Sequence, residues 1–203
     1  MECNNFKKPD AGCDKYGISR LKLAVYIRDN VLNQLDKHTF IENGTLLGAY
    51  RNQKFIPNDD DFDFGILLES KDEMYKIVEK ISNLLPNEYQ CRIRDTYCLK
   101  IEIFQPSFGK YDLLGPKYNG ADYHYVTIDL QAYLKQDDSY KSLYYINPYD
   151  IIIKEDYILP LKKIKLEGEL FNCPKDIVTF LELHYGSIDP KAKYNAVSCK
   201  YEL

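Results

Sequence analysis

From Asn58 to Leu68 the chain reads NDDDFDFGILL, in which four aspartates fall within five positions and run straight into alternating apolar residues. Period-two alternation marks a strand with one buried face. Residues 61–68 are therefore expected to form a strand, with Phe62 and Phe64 entering the core and Asp61 and Asp63 sharing the other face. Carboxylates that close repel, and at least one pKa rises unless a cation stands between them. An acidic turn in solvent would also tolerate the charge, but this cluster is fused to an apolar strand. A calcium loop of the helix–loop–helix kind is excluded: Asp59, Asp61 and Asp63 fit its first three ligand positions, but Phe64 stands where glycine is required and Ser70 where glutamate is required. Hard oxygen ligands at this spacing suit Mg²⁺, or Mn²⁺ in its place, which takes one or two carboxylates and completes its coordination with phosphate oxygens. Asp59 and Asp60, just ahead of the strand, are further ligands or supports for a second ion.

Upstream, NGTLLG reads as a strand-to-helix turn. Backbone N–H groups at Gly44 and Thr45, together with the helix dipole, form a phosphate cradle, and Gly48 permits close backbone approach. Arg51 and Lys54 follow as cations for phosphate oxygens. Phosphoryl and nucleotidyl transfer need such a cradle beside metal-holding acids. They also commonly need a third carboxylate, as ligand or as base. Asp129 is the first choice, because YVTIDLQAYL alternates and puts it opposite Val126, Ile128 and Leu130. Glu102 in LKIEIF is the second. His38, His124 and His184 are scattered, and no Ser/His/Asp or Cys/His arrangement emerges. Tyr185–Gly186 reads as a helix end or as the rim of a site.

The remaining pattern alternates helices and strands. A helix is expected over Ser19–Leu35 with Leu21, Ala24, Val25, Val31, Leu32 and Leu35 on its buried face, then a strand at 39–42. A helix from Ser70, boxed by Glu73, runs to Pro86. Strands follow at about 88–94 and 97–104, then a long loop at 105–121. The Tyr-rich stretch 135–160 shows no clear period. KKIKLEGELFN reads as a strand pair, and 176–185 as a helix closed by Gly186. The expectation is an α/β (α+β) fold, a mixed sheet with packed helices, with residues 1–18 as a polar arm and 19–203 as one domain. A net charge of −4 denies the chain the cationic face that nucleic acid requires, so no nucleic-acid partner is expected. Six cysteines without a CxxC pair are read as free thiols. No apolar run of 18 residues and no signal-like N-terminal stretch is present, so no membrane span and a cytoplasmic location are expected. The final KYEL resembles an ER-retrieval signal.

The segment GTLLGAYRNQKFIPNDDDFDFGI resembles the signature of the LicD family, which includes bacterial phosphocholine transferases and eukaryotic fukutin-related proteins. Matches run from Gly44, Thr45 and Gly48 through Arg51, Ile56, Pro57 and Asp59 to Asp61, Asp63 and Gly65. The TIDLQAY strand and the stretch from Leu159 to Gly186 are similar more loosely. Asn58 stands where the family has tryptophan, and the chain has no tryptophan at all. The resemblance implies a nucleotidyltransferase-like fold and Mg²⁺-dependent transfer of a phospho-alcohol from a CDP-activated donor to a sugar hydroxyl of a glycan, known donors carrying choline or ribitol. It makes Asp61, Asp63 and Asp129 the metal-site acids and gives donor phosphates to Gly44, Thr45 and Arg51. Transfer of a nucleotide to RNA or protein is the alternative within enzymes. A catalytically inactive glycan-binding module is the alternative outside them.

Overall fold

A computed structural model describes residues 14–57, 59, 61–112, 122–145, 150–195 and 197–203. Asn58, Asp60, most of the polar arm and the centre of the expected 105–121 loop lie outside the described residues. Helix α1 (Asp14–Asn30) leads into strand β1 (Thr39–Ile41), helix α2 (Asn43–Asn52) and strand β2 (Asp63–Leu68). Helix α3 (Asp72–Leu84) and strands β3 (Gln90–Asp95) and β4 (Leu99–Phe104) follow. Short strands β5 (Lys110–Asp112) and β6 (Asp122–His124) pair with each other. Then come the long strand β7 (Thr127–Gln136), β8 (Ser139–Ser142), β9 (Ile152–Lys154) and the single-turn helix α4 (Glu155–Ile158). The hairpin β10 (Lys162–Leu166) and β11 (Glu169–Cys173), helix α5 (Ile177–Tyr185) and the hairpin β12 (Lys193–Asn195) and β13 (Lys200–Glu202) complete the chain. The KYEL residues thus build the last strand.

The main sheet runs β1-β2-β7-β4-β3, and β8 and β9 extend it from the far half of β7. Only the central β2–β7 pair is parallel; the other pairs are antiparallel. This is the mixed sheet with packed helices that the sequence implies. Because β7 is central, its polar face is buried too: Thr127, Asp129 and Gln131 are all buried, like Ile128 and Leu130 on the other face.

One face of the sheet is apolar. Phe62, Phe64 and Phe171 form a ring cluster there, with centroids 4.9–6.1 Å apart, and it ties the β10–β11 hairpin to β2. The opposite face carries Phe40, Tyr133 and Phe180, which seat α5 on the sheet. Gly65 makes room for them: a Cβ there would sit 2.8 Å from the Phe40 ring and 3.0 Å from that of Tyr133.

Helix α1 departs from expectation in two ways. It starts at Asp14 and stops at Asn30, with Leu32 to Gln34 in a separate 3₁₀ turn. Its buried stripe is Arg20, Leu23, Ala24 and Ile27; Leu21 and Val25 are only partly covered. The break at Asn30 is the reason, because fitting one period through Leu32 and Leu35 rotates the apparent face. Helix α3 begins at Asp72, not Ser70. Its Glu73 carboxylate still accepts the Glu69 N–H at 3.0 Å and meets Lys37 Nζ at 2.9 Å. Helix α5 starts as its sequence implies, with the Asp176 carboxylate accepting the Thr179 N–H at 3.1 Å, and ends at Gly186, whose φ is +80°. Cys91, Cys98 and Cys173 carry no disulfide.

Gly65→Ala should lower unfolding free energy by about 1–3 kcal/mol through overpacking, measured by urea titration. Adding Phe40→Leu should recover part of that loss; a neutral Gly65→Ala would contradict the packing described.

Candidate metal centre

The site begins with strand register. Asp63 opens β2 directly beside Asp129 on β7, and Asp129 lies opposite Glu102 on β4. Directly paired residues project from the same face, so three carboxylates fall in one row across three neighbouring strands. Glu42, just past β1, extends the row, with its N–H donating to the Asp63 carbonyl at 3.2 Å. Asp61 precedes β2 instead of lying within it, yet its carboxylate reaches the same place. Among the described residues, Asp61, Asp63 and Asp129 each offer an oxygen within 4.8 Å of the others.

The row divides chemically at Asp129. Glu102 is 2.8 Å from Arg92 Nε and 2.5 Å from Arg94 Nε. Burial works to raise its carboxyl, but Lys100 and the two arginines outweigh it and hold the pKa below the usual range. Glu102 is thus occupied by cations. Lys100, 3% exposed, stands between the halves: its ammonium donates to Asp129 Oδ2 and lies 3.3 Å from Glu102 Oε1. Burial works to lower its pKa, and Asp129, Tyr97 and Glu102 together more than reverse that. Asp129 Oδ1 is buried and has no hydrogen-bond partner among the described residues.

Burial pushes the Asp63 carboxyl well above its ordinary value, with Asp61, Asp129 and Glu42 adding to the shift. Burial pushes Asp129 up to about 7 despite Lys100. Glu42, fully buried, is pushed up to about 8, also by burial and against the Tyr133 hydroxyl that bonds its Oε2; its Oε1 has no partner. The Tyr133 hydroxyl lies 2.9 Å from His184 Nε2, whose Nδ1 lies 2.9 Å from the Phe180 carbonyl. Burial lowers His184 to about 4, so this ring is neutral. Burial, then the charges of Asp63, Asp59, Glu42 and Asp61, raise the Tyr185 hydroxyl well above its usual range, which keeps it a donor.

The other residues singled out in the sequence are placed as follows. The Thr45 hydroxyl accepts the Asp63 N–H at 2.9 Å, so it fixes the start of β2. Gly44 packs under Asp59: a Cβ there would sit 2.7 Å from Asp59 Oδ2. The start of α2, the expected phosphate cradle, therefore already faces a carboxylate. Gly48 lets the Lys54 carbonyl approach so closely that a Cβ would lie 2.4 Å from it. Arg51 and Lys54 are not brought to the acids. Arg51 sits in the last turn of α2, about 12 Å along the helix axis from Asn43, exposed, with its guanidinium donating to the Ile188 carbonyl at 2.8 Å; Lys54 is exposed beyond the helix. Lys100 is the cation found at the acids, and sequence reasoning missed it. Its signal was present: in LKIEIF, Lys100 shares a strand face with Glu102.

Asp63 and Asp129, buried and raised in pKa, with the half-buried Asp61 beside them, fit a hard divalent ion. Asp61, Asp63 and Asp129 supply three oxygens, and an octahedral ion takes the rest from phosphates and water.

The family profile described as LicD/FKTN/FKRP, nucleotidyltransferase domain, matches residues 37–176. The chain belongs to the LicD family. An uncharacterized protein of Rickettsia typhi is 34% identical over 113 residues, covering 50% of this chain and 36% of the relative. One of Rickettsia prowazekii is 34% identical over 110 residues, covering 50% and 41%. The matched stretch thus spans less than half the length of these curated relatives. Among the described residues, no helix is long and apolar enough to cross a membrane.

Asp129 and Glu42, at about 7 and 8 against ordinary values of 3.8 and 4.5, keep protons when folded that the unfolded chain has released. The folded state then binds more protons across that window, so stability falls as pH rises through it. Without divalent ions, Tm should fall between about pH 6 and pH 8.5. Mg²⁺ should raise Tm more at the higher pH, because it competes with those protons. A Mg²⁺ effect that is absent, or equal at both pH values, would contradict this electrostatic account.

Proposed function

We propose that the chain transfers a phospho-alcohol, of the phosphocholine or ribitol-phosphate kind, from a CDP-activated donor to a glycan hydroxyl and releases CMP. The observation that carries this reading is the convergence of Asp61, Asp63 and Asp129 at one end of the parallel β2–β7 pair, with Asp129 Oδ1 left open. Family membership supports the reaction class. Mg²⁺, or Mn²⁺, is the proposed cofactor, held by the three aspartates; when bound it neutralises charge on the donor's diphosphate.

The residues divide the work. Asp61 and Asp63 are ligands, and the Thr45 hydroxyl fixes the backbone from which Asp63 projects. Asp129 offers Oδ1 as the third ligand while Lys100 holds Oδ2. With both oxygens engaged, Asp129 serves as ligand rather than as base. The acceptor oxygen forms a bond to the phosphorus bearing the alcohol. The bond from that phosphorus to the bridging oxygen breaks, and CMP leaves with the electron pair. Positioning and charge stabilisation are what the site has to supply for this transfer. The acceptor's proton passes to solvent.

CDP-choline, CDP-ribitol and nucleoside triphosphates should be assayed side by side with glycan acceptors and Mg²⁺. CMP release from a CDP-alcohol is expected, with Asp61→Asn and Asp63→Asn each lowering kcat/KM by about a hundredfold or more. Pyrophosphate release from a triphosphate would instead identify a nucleotidyltransferase acting on RNA or protein. Glycan binding without turnover of any donor would identify a binding module. Near wild-type turnover in either variant would remove the metal assignment.

A further inference from the structure

Arg20 is 2% exposed and belongs to the same helical stripe as Leu23, Ala24 and Ile27. A buried guanidinium is costly unless its donors are used. Its Nη1 donates to the Asp59 carbonyl at 2.8 Å and to the Asp61 carbonyl at 3.3 Å. Its guanidinium carbon also lies 6.0 Å from the centroid of the Phe55 ring. The segment it grips joins α2 to β2, and its described residues are in neither helix nor strand. Asp59 adds one turn bond there, its N–H donating to the Ile56 carbonyl at 3.1 Å. Asp63 and Asp129 are fixed by strand pairing, whereas Asp61 lies outside β2 and depends on how this segment is held. Helix α1 lies wholly outside residues 37–176, the span that the family profile matches.

We propose that Arg20 is the positioning residue that completes the metal centre, fixing the backbone at Asp59 and Asp61 so that the Asp61 carboxylate meets those of Asp63 and Asp129. The proposal rests on the metal reading above. The site therefore draws an essential part from a helix outside the matched domain. A guanidinium that donates to backbone carbonyl oxygens fixes the segment from which the Asp61 carboxylate projects.

The sign of the effect separates positioning from charge. On charge alone, removing a cation near a metal site tightens metal binding. Loss of positioning weakens it. In Arg20→Met, which keeps bulk and loses the donors, the Mg²⁺ Kd of the folded full chain, measured by calorimetry, should rise at least about tenfold. Amides of residues 59–62 should exchange faster by mass spectrometry without metal. Arg20→Lys, able to replace one bond of the two, should fall between this variant and the wild type. A role in stability alone would lower Tm and leave the Kd of the folded protein unchanged, and that result overturns the proposal, as does tighter binding. Should Arg20→Met not fold, the wild type decides: Mg²⁺ should shift the Arg20 side-chain ¹⁵N signals, and unshifted signals at metal saturation would overturn the proposal. Failure of the wild type to bind Mg²⁺ would instead remove the metal reading itself and the proposal with it.

Discussion

Like charge, crowded where two parallel strands begin, is the constraint around which this molecule is arranged. Asp63 and Asp129 are register partners, and Asp61 is folded onto them. Carboxylates so placed cannot all ionise without a counter-charge, and burial pushes Asp63 and Asp129 upward accordingly. A folded chain can hold such a cluster protonated, or neutralised by an ion. The second state is the one we propose for this site. The Lys100 ammonium takes one oxygen of Asp129, and the other has no hydrogen-bond partner among the described residues.

The rest of the charge on that face is settled before it reaches the site. Glu102, next in the row, is held by Arg92 and Arg94, and this sets it apart from Asp61, Asp63 and Asp129. Glu42 is uncharged at neutral pH by burial and is bonded to Tyr133, which in turn meets His184 of α5. The apolar scaffold has a matching division. The Phe62, Phe64 and Phe171 cluster anchors β2 from one side, while Phe40, Tyr133 and Phe180 seat α5 on the other. Each aspartate therefore springs from backbone that is packed on both faces or gripped from below.

Much of this was legible in the sequence because it is local. Alternation in DFDFGILL and TIDLQAY names the strands and the faces on which Asp63 and Asp129 sit, and both readings depend only on period two. What was not legible is relational. Nothing in the order of residues says that β2 and β7 are neighbours in parallel, that Thr45 spends its hydroxyl on Asp63, or that Asp59 covers the start of α2. Arg51 and Lys54 follow Gly44 closely in sequence, but α2 carries Arg51 to its last turn, where the guanidinium donates to the Ile188 carbonyl, and Lys54 lies beyond the helix. Lys100 and Arg20 were overlooked for the reverse reason. Each lies far along the chain from the aspartates it serves, Lys100 on the polar face of LKIEIF beside Glu102 and Arg20 within the apolar stripe of α1.

The most direct measurement is anomalous diffraction from crystals grown with Mn²⁺ and a cytidine diphosphate compound. The account predicts a single strong metal peak bonded to oxygens of Asp61, Asp63 and Asp129, with Lys100 still on the second oxygen of Asp129. Crystals at saturating Mn²⁺ with no peak among those three side chains, or with the metal bound elsewhere, would contradict it.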